Sequence, residues 1–336
     1  MAAHHHFIYR GQDRDVIPRT ATHVSIHKSI KVIPPRTFYE HPNIVEVICH
    51  DNMESIEEYA FCKCLSLLRV RLLGAKDVKH NVFDGCLNLM YVECDNVERI
   101  WGCAFRNCQS LSSMDMPSAK TIDRTVFDFC KEMAHVKFGN NLEQLRQQSF
   151  NNCISLERVT VPLKDGVVTA HNTFMECLKL KHADLLEEDV LRETISALLL
   201  DGWKVYMNSL VDLITWELPN APDCGNHFYD RRHKAQVIFN WSTWVLRKII
   251  FYKSKHHGLL NEAATALAHS LPIDIVMNSV IPFLELPRHS FGGNDTEEGI
   301  YDINNEDHTG ESKDGDDEVE DNFLEGRKRR KTENQE

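Results

Sequence analysis

The chain has 336 residues, of which 42% are apolar and 26% charged, and it carries a formal net charge of −12. These proportions are ordinary for a folded globular protein and exclude a collagen-like or low-complexity chain. The negative charge argues against nucleic acid as a partner, because phosphates would be repelled. No stretch approaches the ~18 consecutive apolar residues of a membrane helix, and the first residues lack the pattern of a secretory signal. We therefore expect an intracellular protein, in the nucleus or the cytoplasm, with no membrane partner.

A repeat follows the N-terminal segment, residues 1–31, and dominates the first half of the chain. Phenylalanines recur there at intervals of 22 to 24 residues. They are Phe38, Phe61, Phe83, Phe105, Phe127, Phe150 and Phe174. A fixed period in this range is typical of a solenoid, in which similar coils stack along one axis.

Other apolar positions recur with the same period over residues 32–185. Each unit reads I-x4-F-x2-C-x2-L-x2-V-x-L. The spacing of two in V-x-L predicts a short strand whose alternate side chains face outward. The spacing of three in F-x2-C-x2-L predicts a 3₁₀-like or helical turn. One coil cannot bury its apolar side alone, so neighbouring coils must stack into one continuous core.

These residues carry a resemblance to a known family. The second unit contains, from Ile56 to Leu67, the run Ile-Glu-Glu-Tyr-Ala-Phe-Cys-Lys-Cys-Leu-Ser-Leu. It resembles the BspA-type class of leucine-rich repeats, whose core is I-x-x-x-A-F-x-x-C-x-x-L. The units depart from the pattern at His41, Met133 and Thr169. The resemblance implies an α/β repeat fold, a leucine-rich repeat solenoid of about seven coils, and it implies no enzymatic activity or cofactor.

Cysteines occupy one repeat position, three residues after six of the phenylalanines. They are Cys64, Cys86, Cys108, Cys130, Cys153 and Cys177. We interpret them as small buried thiols in a reduced protein, because this position faces the core and the total of 11 cysteines is odd. Strand spacing would also bring neighbouring thiols within disulfide range, so crosslinks stay open at this point. The spacings do not match a zinc site, and we predict no metal.

Helical patterning replaces the repeat over residues 186–289. We predict five helices, at about 190–201, 203–218, 233–255, 259–271 and 274–286, interrupted by glycine, proline or loop residues. The region resembles the helical part of BspA-type repeat proteins of diatoms, on the residues 190–203, 260–265 and 281–287. Two arrangements remain open, a cap on the end of the solenoid and a separate helical bundle.

The last part of the chain, residues 290–336, has the composition of a disordered acidic tail. Fourteen acids and one lysine lie in 292–325, with few apolar side chains. A basic run then follows, Arg327, Lys328, Arg329, Arg330 and Lys331. We interpret this run as a candidate nuclear import signal, for which an import receptor would be the partner. The alternative is a charge run that is simply solvated.

The strand face is the candidate binding surface, because its outward residues alternate with buried ones. The residue types suited to an interface there are Arg69, Arg71, Tyr91, Glu93, Asp115, His135, Lys137, Arg158 and His182. Motifs of catalysis or nucleotide binding are absent from the sequence, so we predict no catalytic residue. We therefore expect a non-enzymatic scaffold that binds a protein of unknown identity. The alternative is an enzyme, or an enzyme subunit, with a site in the helical region.

Overall fold

The structure, a computed structural model, describes residues 5–170, 172–196, 201–221 and 233–267. Short parallel strands form the solenoid, and helices follow it. One row of strands, numbered here in chain order, makes the strand face. It consists of β1 (His6–Tyr9), β2 (His23–Ile26), β4 (Glu46–Cys49), β6 (Arg69–Leu72), β8 (Tyr91–Glu93), β10 (Ser113–Met116), β12 (His135–Phe138), β14 (Arg158–Val161) and β16 (His182–Leu185). The strands predicted from V-x-L are therefore confirmed.

The strand face begins before the first repeat unit that the sequence reveals. β2 pairs with β4 in parallel, with His23 opposite Glu46 and Val24 opposite Val47. β1 pairs in turn with β2. The described part of the N-terminal segment thus continues the sheet, although it lacks the repeated phenylalanine and cysteine.

A second row of strands runs along another side of the coils, where the sequence predicted only one strand per coil. These two-residue strands are β3 (Val32–Ile33), β5 (Ser55–Ile56), β7 (Asp77–Val78), β9 (Arg99–Ile100), β11 (Thr121–Ile122), β13 (Gln144–Leu145) and β15 (Val168–Thr169). They form one continuous seven-stranded sheet. Each of the first six contributes a single repeated apolar position, and β15 has Thr169 there. One position is too short for the alternation that identifies a strand in sequence.

The turn face carries the repeated phenylalanines, and its backbone differs from the predicted helical turn. Hydrogen bonds from residue i to i−3 do occur, as from Cys64 N to Phe61 O at 3.2 Å. However, the residues two before and two after the first six repeated phenylalanines adopt positive φ, as in Tyr59 (58°) and Lys63 (57°). Left-handed residues interrupt a helix, and here they turn alternate N–H groups toward the next coil. Phe61 N accordingly donates to Val82 O at 2.9 Å.

The core is a single stack of side chains that runs the length of the solenoid. The seven repeated phenylalanines are at most 3% exposed. Their rings lie parallel to one another, with neighbouring centroids 4.8 to 5.5 Å apart. Repeated Ile, Leu, Val and Cys positions pack around this stack. Burial of these apolar positions drives the coils to associate, because each coil exposes its apolar side when isolated.

Every repeated cysteine uses its thiol in the same way. Its Sγ–H donates to the carbonyl oxygen of the phenylalanine one coil earlier, as from Cys86 to Phe61 O at 3.1 Å and from Cys108 to Phe83 O at 3.3 Å. The first unit has His41 at this position, and its Nε2 lies 3.1 Å from Pro18 O in the preceding segment. A longer side chain thus makes the equivalent contact where the preceding coil lacks a repeat phenylalanine.

The ten described cysteines are all free, so the buried-thiol interpretation is confirmed for the six repeated positions. Burial raises the pKa of the Cys64 thiol to about 12 and that of Cys108 well above its ordinary value. We expect iodoacetamide at pH 8 to leave all six unmodified in the native protein and to modify them after denaturation, as read by mass spectrometry. Cys103, which is partly exposed, serves as the internal control, since it should react first. Rapid native labelling of Cys108 would contradict the register.

The helices cap the last coils, which resolves the choice left open by composition. They are α1 (Glu188–Ser196), α2 (Asp201–Asp212), α3 (Ile214–Glu217) and α4 (Lys234–Leu267). Two buried hydrogen bonds join α4 to the solenoid, from Lys234 Nζ to Cys177 O at 2.8 Å and from Ser242 Oγ to Pro162 O at 2.7 Å. Apolar residues of the helices belong to the same core cluster as the coils.

Two of the predicted helix boundaries were wrong. The helix expected over 203–218 is divided between α2 and α3, with a turn at Leu213. The helices expected at 233–255 and 259–271 are instead one helix through Gly258. A glycine weakens a helix by only about 1 kcal/mol, and no proline stands there to end it. The fifth predicted helix and the acidic tail lie outside the described residues.

Candidate partner-binding surface

The strand face places the predicted outward residues in two parallel rows. In β6 the side chains of Val70 and Leu72 are fully buried, whereas Arg69 is exposed and Arg71 half-buried. Equivalent residues of successive strands stand opposite one another in register. One row runs Glu46, Arg69 and Tyr91, and continues beyond a gap as Ser113, His135, Arg158 and His182.

The gap divides the strand face into two sheets. β1, β2, β4, β6 and β8 form one sheet, and β10, β12, β14 and β16 form the other, without strand pairing between β8 and β10. Among the described side-chain hydrogen bonds of the strand face, one crosses the gap between β8 and β10. The Cys94 thiol donates it from Sγ to Asp115 O at 3.1 Å. The candidates are therefore separated into Arg69, Arg71, Tyr91 and Glu93 on one side, and Asp115, His135, Lys137, Arg158 and His182 on the other.

Three of the nine candidates already have partners within the chain. Arg71 Nε contacts Glu93 Oε2 at 2.6 Å, which raises the pKa of the Arg71 guanidinium. Arg158 Nη1 lies 2.6 Å from both carboxylate oxygens of Asp184. These pairs neutralise their own charges, so they offer less to a partner than an unpaired ion does.

Arg69 and Tyr91 are free of such contacts and lie side by side. They are direct register partners in β6 and β8. Tyr91 is 52% exposed, and the adjoining Met90 is 58% exposed. Among the described residues, no ion pair or side-chain hydrogen bond involves Arg69 or Tyr91. Arginine, tyrosine and methionine are the residue types enriched at protein interfaces.

Several sequence-based predictions cannot be placed on this surface. The nuclear import candidates Arg327 to Lys331 lie outside the described residues and stay a prediction.

Within the part of the chain that is described, no group of three His, Cys, Asp or Glu side chains could hold a metal ion. Nor does any described helix have the length and apolar character needed to cross a membrane. The enzyme alternative also stays a hypothesis.

A basic cluster on the turn face escaped the sequence reasoning. Arg14 and Arg36 lie over the ring of Tyr39, at 5.3 and 6.0 Å from its centroid, and Lys63 Nζ lies at 5.8 Å. The three cations are 22 to 49 positions apart in the chain. The repeat register could have suggested part of the cluster, because Lys63 stands one coil after Glu40 at the same repeat position.

The stacked coils and their alternating strand face define a leucine-rich repeat solenoid. A model of the family described as "BspA type Leucine rich repeat region" matches in six copies, over residues 19–120 and 76–192. These ranges together cover more than half of the chain, and the chain belongs to this family. The family resemblance predicted from the repeat is thereby confirmed. No curated protein matches the chain.

Solved structures with similar folds include bacterial leucine-rich repeat proteins. One from T. pallidum is 23% identical, with a TM-score of 0.42, over 57% of this chain and 82% of its own. One from Bacteroides ovatus is 15% identical, with a TM-score of 0.31, over 49% of this chain and 63% of its own. A leucine-rich cell surface protein from Faecalibacterium prausnitzii is 18% identical, with a TM-score of 0.32, over 53% and 64%. These likenesses are too distant to carry a functional argument.

Proposed function

We propose that this chain is a non-enzymatic scaffold whose strand face binds a protein partner, with Arg69 and Tyr91 as the anchoring contacts. The observation that carries the proposal is the exposed, unpaired state of these two register partners. A side chain that has no internal hydrogen bond loses little when it turns toward a partner. Arginine and tyrosine also account for a large share of binding energy at interfaces.

The gap in the strand face supports the same location. Because β8 has no strand paired on its β10 side, Tyr91 and Met90 border an interruption in the sheet. A partner side chain can enter such an interruption more easily than a continuous row of paired strands. The neighbouring Arg71–Glu93 pair would hold the rim of this area in a fixed geometry.

The test is a comparison of partners captured by the full chain and by a double variant, Arg69→Ala with Tyr91→Ala. We expect the double variant to lose partners that the unchanged chain retains, with affinity reduced at least tenfold, since anchoring residues each contribute about 2 kcal/mol or more. Both side chains are exposed, so the fold should be unaffected, and circular dichroism checks this.

The matched control is Arg99→Ala, which removes an exposed arginine from β9 in the seven-stranded sheet of the second row. It should leave the captured partners unchanged. Equal loss of partners in both variants would indicate a general charge effect, and no loss in either would place the binding surface elsewhere.

A further inference from the structure

The turn face bears a cleft whose lining includes two arginines and one carboxylate. The cleft measures about 200 Å³ and lies where the N-terminal segment meets the first repeated turn. Arg14 and Arg19 line it from the N-terminal segment, and Tyr39, Glu40 and His41 line it from the turn. Arg36 and Lys63 do not line the cleft, but both lie against the ring of Tyr39, at 6.0 and 5.8 Å from its centroid. Two arginines thus line the space, two further cations contact one of its lining residues, and Glu40 is the carboxylate in its lining.

The positive charge of this cleft is largely unneutralised. Lys63 Nζ pairs with Glu40 Oε1 at 3.2 Å, and this contact lowers the pKa of the Glu40 carboxyl. Arg14 donates from Nη2 to the carbonyl oxygen of Tyr39, which carries no formal charge. Among the described residues, no carboxylate lies within ion-pairing distance of Arg14, Arg19 or Arg36. Such an excess is unusual in a chain whose net charge is −12.

The back wall of the cleft is closed by a neutral side chain. His41 is 7% exposed, and its burial, with Arg19 and Arg14 nearby, lowers its pKa. Both ring nitrogens are occupied, since Nε2 lies 3.1 Å from Pro18 O and Nδ1 accepts from Asn43 N at 3.4 Å. A ligand in the cleft would therefore meet the guanidinium groups and the lysine, with no further donor from the imidazole.

Tyr39 positions these cations rather than neutralising them. Arginine and lysine stack favourably on an aromatic ring, and stacking holds their donors in a restricted arrangement. Guanidinium groups so arranged match the oxygens of a phosphate, which can accept two parallel hydrogen bonds from one arginine. A phosphate monoester carries close to two negative charges at neutral pH, so it suits several cations better than one carboxylate does.

We propose that the cleft lined by Arg14, Arg19, Tyr39 and Glu40 is a binding site for a phosphate group, whether that of a monoester or of inorganic phosphate. The site lies on the turn face and is independent of the strand face. The ligand's chemistry is shared by a phosphorylated side chain of a partner protein and by free phosphate. In either case Lys63 would exchange part of its contact with Glu40 for the phosphate oxygens.

The test is calorimetric titration of the full chain, at low salt, with inorganic phosphate, inorganic sulfate, a phosphotyrosine peptide and the same peptide without phosphate. We expect saturable binding of the phosphorylated peptide or of inorganic phosphate, and none of the unphosphorylated peptide. Tighter binding of the peptide than of inorganic phosphate assigns the site to a phosphoprotein, and equal binding assigns it to a small phosphate. Binding of sulfate as tight as that of phosphate would overturn the assignment to phosphate.

Two variants act in opposite directions. The double variant Arg19→Gln with Arg36→Gln should weaken phosphate binding about tenfold or more, because it removes charge-assisted donors. Glu40→Gln should tighten binding several-fold, because it removes the one competing carboxylate. A gain of affinity cannot result from misfolding. The control is Arg124→Gln, an exposed arginine that does not line the cleft, which should leave binding unchanged. The proposal fails if no phosphate binds at millimolar concentration, or if the cleft variants behave like the control.

Discussion

Raising the pH from 8 to 10 should lower the free energy of unfolding of the solenoid far more than it lowers that of an ordinary globular protein. Burial raises the pKa of seven core thiols, those of Cys49, Cys64, Cys86, Cys94, Cys108, Cys130 and Cys153. In the unfolded chain these thiols lose their protons above about pH 8.5, whereas in the folded chain they stay protonated. Unfolding then releases protons, so the free energy of unfolding falls as the pH rises.

The expected size of this effect is large. Each thiol would lower the free energy of unfolding by about 2 kcal/mol by pH 10, since pH 10 lies about 1.5 units above the pKa of an unfolded thiol and each unit corresponds to about 1.4 kcal/mol. The sum over the buried thiols is comparable to the whole stability of a typical domain, about 5–15 kcal/mol. Urea denaturation at several pH values measures it, and the midpoint should fall steeply above pH 8.5.

A triple variant separates the thiols from other groups that titrate at alkaline pH. Cys86→Ala, Cys108→Ala and Cys130→Ala together should lower stability at pH 7, because three thiols that donate to phenylalanine carbonyls are lost. The decline above pH 8.5 should nevertheless be shallower than in the unchanged chain. Parallel pH profiles for the two proteins would show that lysine and tyrosine titration, rather than thiol burial, governs alkaline stability.

Truncation of one ring of the central stack is expected to lower the free energy of unfolding by about 3–5 kcal/mol, as large aromatic truncations in cores do. Phe105 is fully buried, and its ring centroid lies 5.1 Å from that of Phe83 and 5.5 Å from that of Phe127. Phe105→Ala would leave a cavity between two rings that the coil-to-coil hydrogen bonds keep apart. Chemical denaturation of the variant gives the change in free energy directly.

The control for this substitution is Tyr91→Ala, since Tyr91 is a large aromatic that is 52% exposed. It should change the free energy of unfolding by less than about 0.5 kcal/mol. If Phe105→Ala denatures at the same urea concentration as Tyr91→Ala, then the stacking described for the phenylalanines is wrong.

The repeat made most of the solenoid predictable from sequence. A residue that recurs every 22 to 24 positions must occupy equivalent places in successive coils, so periodicity identified the buried phenylalanines and the outward rows. The same reasoning missed the second row of strands, because one apolar position such as Ile100 does not reveal a strand. It also missed the left-handed residues of the turns, which are of many types, including Tyr59, Lys63 and Asn81.

The candidate site was predictable in part for the same reason. Alternation along each strand showed that Arg69 and Tyr91 face outward, and the register placed them side by side. Which charges are already paired was not predictable, since Arg158 contacts Asp184 of the other row at 2.6 Å. Side-chain length and direction decide such diagonal contacts, and periodicity carries no information about them.

The sequence by itself determined the family, the coil register and the burial of the repeated thiols, because each follows from the chemistry of a recurring position. Only the tertiary structure decided what depends on contacts between unlike segments. It seats the helices on the last coils, gathers Arg14, Arg36 and Lys63 around Tyr39, and leaves the gap between β8 and β10. It also brings Gly74 so close to the preceding coil that a Cβ would lie 2.1 Å from Asp51 O. These features have no period, since each results from the particular side chains and backbone that meet there.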